Sequence, residues 1–310
     1  RNLVHLVANQ IGDMATADRV VTKQSDMAES IAVDPSLFHL ILDTQLLRTV
    51  TEELRLDFGA SIRLARAHCE LVDQYRAVWE LLAGDRGHEG FTRSRLWSKA
   101  RMTLLRTLLL SGEPDHLTEA DELLVPLLTL DMGASDQCRL DNYRVLADVR
   151  SGRWASAVGR ALTLLGRDPS IFTAQYAARA AADAVLQGDA RVLGDVRSVV
   201  GLLRERMADY AGHPGDLVWR DVGVLEHSIG RGKKAGIKCL ERSLAMTRAL
   251  PASPANAWVR YVAEIHWGEL GGRAPAHPTL PVGAEVLRRK AEALATEVGT
   301  LRAYRAVSPY

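Results

Sequence analysis

Residues 216–250 read DLVWRDVGVLEHSIGRGKKAGIKCLERSLAMTRAL, and the reading of this stretch decides the fold. Trp219, Val222 and Gly223 share one helical pattern, Gly230 ends it, and Ala235, Cys239, Ser243 and Leu244 pattern a second helix. Apolar residues at three- and four-residue spacing build one buried face of a helix, and a glycine between two such runs marks a turn. Ser253-Pro254 then opens a further helix with Trp258, Val262 and Ala263. The stretch is therefore a helix, a tight turn, a helix and the start of another pair.

The same unit recurs upstream. Turn glycines fall at Gly112, Gly152, Gly188, Gly230 and Gly271, separated by 40, 36, 42 and 41 residues. A helix pair with its turn and connector needs about 34 to 47 residues, and repetition at that period marks a helical array. Each pair carries apolar residues on more than one face, so it buries them only by stacking on its neighbours.

In chain order, residues 1–33 form a capping or linking segment, with Leu3, Val4, Leu6, Val7 and Ile11 on one face of a short helix and Val20 to Met27 on another. Asp34-Pro35 gives an N-cap and a first-turn proline for a helix through Leu54. Asp57-Phe58-Gly59 turns into a second, with Ile62, Ala65, Cys69, Val72 and Trp79 inward. A polar loop at 84–90 precedes a helix from Thr92 to Ser111, and Thr118 with Asp121 suggests a capping box for a helix that Pro126 should kink. Asp168-Pro169 is expected to cap the helix that follows. After the repeats (34–271), a Pro/Gly-rich turn and one C-terminal capping or connector helix occupy 272–310, with Val286, Leu287, Ala291, Leu294, Val298 and Leu301 inward.

Composition excludes several classes. The net charge of +1, from 39 basic and 38 acidic side chains, gives no global field for nucleic acid or an anionic membrane. Cys69, Cys138 and Cys239 are odd in number and dispersed, as suits core thiols in a reducing cytoplasm. No run reaches the roughly 18 apolar residues of a membrane span. The chain opens on Arg1 with no signal core after it, which is the pattern expected of a piece of a larger protein. Arginine far outnumbers lysine beside abundant alanine and leucine, as in proteins of high-GC bacteria.

Signatures of chemistry are lacking. Gly230-Arg231-Gly232-Lys233-Lys234 is no phosphate loop, because it has no preceding strand, no four-residue spacing between its glycines, and no Ser or Thr after the lysine. Asp57-Phe58-Gly59 lies between helices, away from any kinase context. No two histidines stand four apart to hold a metal on one helix. No catalytic, cofactor or metal residue is expected.

Trp219-x2-Val222-Gly223, the Gly230 turn and Ala235 resemble a tetratricopeptide repeat, with Glu226 and Arg242 standing where that family carries an aromatic and a small residue. Leu146-Ala147 with Trp154-x2-Ala157-Val158 is the next best copy. The resemblance implies an all-α, right-handed α-α superhelix of about six pairs, its inner surface lined by the first helix of each pair. It resembles the helical-repeat regions of large bacterial transcription regulators and signalling proteins. The function so implied is a peptide- or protein-binding, or sensory, module of a larger regulatory protein. Alternatives are the regulatory region of a signalling enzyme such as a nucleotide cyclase or ATPase, or a dimerisation scaffold. Expected groove residues are Arg101, Tyr143, Arg144, Tyr176, Arg220, Tyr261, Glu264 and Trp267. A protein or peptide is the expected partner, with homodimerisation open and neither membrane nor nucleic acid bound directly.

Overall fold

The computed structural model describes residues 14–30, 38–74, 93–271 and 278–310. The expectations for Leu3 to Ile11, the Asp34-Pro35 cap, Trp79, the 84–90 loop and Pro275 lie outside the described residues. Fourteen α-helices and two short 3-10 turns make up the described chain, and no strand occurs among the described residues. It divides into two compact units, Arg1–Gly133 with Pro251–Ala255, and Ala134–Leu250 with Asn256–Tyr310.

The first unit contains α1 (Met14–Ser30), α2 (Phe38–Arg55), α3 (Phe58–Gln74), α4 (Arg93–Ser111) and α5 (Pro114–Leu128), each packed on the next. Leu56 turns the chain with a left-handed φ of 63°, and the Asp57 carboxylate caps α3 by accepting the Ala60 N–H at 2.9 Å. Ile62, Ala65, Cys69 and Val72 are buried, as their spacing predicts. Glu53 is buried and accepts from the Thr107 hydroxyl at 2.7 Å and from Arg106, so its charge is paired. Thr118 caps nothing. Pro114 occupies the first turn of α5 behind Glu113, and the Thr118 hydroxyl donates to the Pro114 carbonyl from inside the helix. Proline at the first turn gives up only an N–H that had no partner there. Pro126 sits in the last turn of α5, so it falls where the helix is already ending.

The second unit contains α6 (Ala134–Arg150), α7 (Trp154–Arg167), α8 (Ile171–Leu186), α9 (Leu193–Arg206), α10 (Gly215–Ser228), α11 (Lys233–Arg248), all but the first two residues of α12 (Pro254–Gly271), α13 (Val282–Val298) and α14 (Thr300–Val307). Consecutive helices pack as pairs, and alternate helices also touch: α6 with α8, α8 with α10, and α7 with α9. Its core runs through Val145, Val158, Leu164, Val196, Leu203 and Leu225. Helix α8 is mostly apolar, with Ala174, Ala177, Ala178, Ala180, Ala181, Ala182 and Ala184 buried beside the charged Arg179 and Asp183. Side chains this small let the neighbouring helices approach closely.

Two capping expectations change. Ser170, not Asp168, caps α8, its hydroxyl accepting the Thr173 N–H, while Asp168 holds the Ser170 and Thr173 hydroxyls at 2.9 Å each. The left-handed residue of the α10–α11 turn is Gly232, with φ 90°. Gly230 is needed for a different reason, since a Cβ there would come 2.8 Å from the Glu226 Cα. Gly223 and Gly236 bring α10 and α11 into backbone contact, a Cβ on Gly236 falling 2.7 Å from the Gly223 carbonyl. The single C-terminal helix expected from sequence is two helices, broken at Gly299 (φ 85°), and Val286 and Val298 face solvent while Ala284, Leu287 and Ala291 are buried.

Candidate recognition surface

Three arginines on successive alternate helices of the second unit converge on residues 305–310. Arg150 closes α6, Arg179 lies mid α8 and Arg220 lies in the first half of α10. Arg179 and Arg220 are buried, and each has a carboxylate on its own helix. Arg179 Nε is 3.6 Å from Asp183, and Arg220 Nε donates to Asp221 at 2.8 Å.

Their remaining donors address the main chain. Arg150 donates to the carbonyls of Ala306 at 2.7 Å and Ser308 at 2.8 Å. Arg179 donates to Ser308 at 2.8 Å, Pro309 at 3.0 Å and Arg305 at 3.4 Å, and Arg220 reaches the Tyr310 main-chain oxygen at 3.2 Å. These oxygens are main-chain carbonyls of the last helical turn, where a helix runs out of intrahelical donors, together with those of the residues after it. Guanidinium donors are matched to them in charge as well, because the C-terminal end of a helix is its negative pole.

The segment returns one charged side chain. Arg305 is buried and enters between the two carboxylates, donating to Asp221 at 2.7 Å and pairing with Asp183. Tyr304 stacks on Trp258 of α12, ring centroids 6.0 Å apart and planes 16° from parallel, and meets Tyr261 edge-on at 5.8 Å. Trp258 donates its indole N–H to the Ser308 hydroxyl at 3.2 Å, and Ser308 donates in turn to the Tyr310 oxygen at 2.8 Å.

Electrostatics follow from this arrangement. Burial alone would weaken the Arg305 charge, but Asp183 and Asp221 more than reverse that and hold its pKa above the usual arginine value. Burial likewise presses the Asp221 carboxyl upward, and Arg220 and Arg305 outweigh it to hold the group far below the usual carboxylate range. Arg179 is held below its usual value by burial, with Arg305 and Arg220 adding to the effect. His266 of α12 is fully buried and held down to about 3, first by burial and then by Arg220 and Arg305. Its Nδ1 lies 2.7 Å from the Val262 carbonyl, so Nδ1 carries the proton of the neutral ring and Nε2 is an acceptor.

Of the residues expected to line a groove, Arg220 and Tyr261 belong to this surface. Tyr143 is buried in α6, Tyr176 and Trp267 lie half-buried against the apolar core, and Glu264 is half-buried on α12. Arg101 belongs to the first unit, over the Trp97 ring at 4.3 Å and paired with Asp73. Arg144 lines an open cleft of about 370 Å³ with Arg160 and Arg167. Each of these arginines has an ion-pair partner, Arg144 and Arg167 sharing Asp141 and Arg160 meeting Asp148.

Arg150, Arg179, Asp183, Asp221, Arg305 and Ser308 were not among the expected residues. The available signal was Arg179 and Asp183, four apart in a helix otherwise made almost wholly of alanine and other apolar residues. Among the described residues no cluster of His, Cys, Asp and Glu could hold a metal, and no helix is long and apolar enough to cross a membrane. Comparison with protein-family models, with curated proteins and with solved structures finds no match.

Proposed function

We propose that the second unit is a peptide-recognition module of a larger regulatory protein, of the transcription or signal-transduction kind, and that α6, α8, α10 and α12 supply its recognition surface. The observation that carries this reading is the set of guanidinium groups on three alternate helices, all donating to main-chain carbonyls of one irregular segment. Donation to backbone reads the path of a chain rather than its side chains, which is how a surface accepts segments of differing sequence. On this reading the helix pairs are a tetratricopeptide-like array of about six, winding right-handed. The alternate-helix packing of α6, α8 and α10, and of α7 and α9, supports it. Three free thiols, Cys69, Cys138 and Cys239, fit work in a reducing cytoplasm.

A displayed peptide library tests the reading, probed with the wild-type chain and with Arg305→Ala. Enriched peptides are expected to lose at least tenfold in affinity against Arg220→Gln, with helix content unchanged by circular dichroism. A screen that enriches nothing on either chain overturns it.

A further inference from the structure

The segment seated on this surface has the features of a competitor rather than of a fixed part of the core. Two of the three receptor arginines keep a carboxylate without it: Asp183 stays by Arg179 and Asp221 by Arg220 when Arg305 is absent. The fit is also incomplete. Arg220 Nη1, Asp221 Oδ2 and His266 Nε2 are buried and meet no hydrogen-bond partner. Each such group carries an uncompensated desolvation cost that a better-matched occupant would relieve. Helix α14 is eight residues long, too short to hold its shape without the surface beneath it, and Gly299 joins it to α13 through a left-handed φ of 85° that glycine adopts freely.

We infer that Thr300–Tyr310 is a built-in occupant of the recognition surface, and that the external ligand is an arginine-bearing peptide segment of another protein that displaces it. The inference rests on the peptide-recognition reading above and adds the class of ligand. Main-chain contacts to Arg150, Arg179 and Arg220 are open to many sequences. The two acidic side chains flanking Arg305 and the Trp258–Tyr261 face under Tyr304 are selective. The ligand therefore presents an aromatic residue and then arginine on a short helical turn, followed by a non-helical stretch whose carbonyls meet the three guanidinium groups. A planar, five-donor guanidinium spans two carboxylates where an ammonium addresses one at a time.

The test is fluorescence anisotropy with a labelled synthetic peptide of residues 299–310, titrated against the full wild-type chain, Arg305→Ala and Arg305→Lys. In the wild type the peptide must compete with its covalently attached copy, present at millimolar effective concentration. Arg305→Ala is expected to bind the peptide at least tenfold more tightly than wild type, Arg305→Lys to fall between them, and a peptide carrying alanine at the Arg305 position to bind none of the three. Should Arg305→Ala not fold, the Arg305→Lys comparison carries the test. Equal affinity for wild type and the weakened variants overturns the inference. So does a dimer that grows with concentration and exchanges its C-terminal segments, which would make a second copy the ligand. If the displayed library yields binders without arginine, the inference falls and the recognition surface stands. If neither that library nor this peptide binds any chain, both fall.

Discussion

Asp221→Ala is expected to destabilise the second unit by about 3–5 kcal/mol, the largest effect of any single substitution at the surface. The Asp221 carboxylate is 1% exposed and one of its oxygens accepts from both Arg220 and Arg305, at 2.8 and 2.7 Å. Removing one partner of a buried pair leaves charge uncompensated in low dielectric, which costs about that much. Here two guanidinium groups lose their shared acceptor. Arg305 falls back on Asp183, and Arg220 retains only the Tyr310 oxygen. The physical cause is separable from lost packing. Removing charge from both sides, with Arg220→Met and Asp221→Leu together, is expected to cost less than Asp221→Ala alone, because no unpaired charge remains on α10. Urea unfolding of the three chains, at constant m-value, decides it. A loss below about 1 kcal/mol for Asp221→Ala would mean that the carboxylate is solvated and the cluster open.

Stability is expected to fall steeply on mild acidification, and His266 is the cause. Its pKa is about 3 in the folded chain, against about 6.5 for an unperturbed histidine. Burial sets it first, followed by Arg220 and Arg305, which repel a further positive charge, while the Val262 carbonyl bound at Nδ1 and Asp221 oppose them. Between the two values the unfolded chain takes up a proton that the folded chain refuses. Stability is therefore full above the unfolded value and is lost as pH falls, at a slope of about 1.4 kcal/mol per pH unit. From pH 6.5 to 4.5 the loss is expected to be about 2–3 kcal/mol. Asp221, whose folded pKa is depressed, adds its own loss only below about pH 4, where the unfolded carboxylate begins to protonate. His266→Leu removes the titrating ring at similar volume, and its stability is expected to stay level over pH 6.5–4.5. A wild-type profile as flat as that of the variant would show that the ring is reached by solvent.

The helices were legible because their causes are local. Three- and four-residue apolar spacing marked α2, α3 and α6 to α12, and Gly112, Gly152 and Gly188 announced left-handed turns that the backbone adopts at φ 68°, 68° and 76°. Where two local signals compete, the sequence alone could not arbitrate. Asp168 and Ser170 both suit a cap, and only Ser170 meets the Thr173 N–H. Thr118 with Asp121 matched a capping pattern that Pro114 pre-empts by starting α5 a turn earlier.

Of the residues gathered around Arg305, only Arg220 and Tyr261 are singled out in the sequence, because the others are distant in sequence from one another. Arg305 is 122 residues from Asp183 and 84 from Asp221, so no spacing rule brings them together. Read as sequence, Arg305 is an ordinary charge on an amphipathic C-terminal helix. The break at Gly299 turns that helix into a separate piece and its polar face inward.

Amide hydrogen exchange across Ala303–Ser308 is the most direct measure of the central claim, that the C-terminal segment is seated on the arginine-lined surface and held there by Arg305. In the wild-type chain those amides are expected to exchange far more slowly than free coil. In Arg305→Ala they are expected to speed up at least tenfold, while the amides of α8 and α10 keep their protection. Free-coil exchange of this segment in the wild type would contradict the account, and so would loss of protection throughout α8 and α10 in step with it.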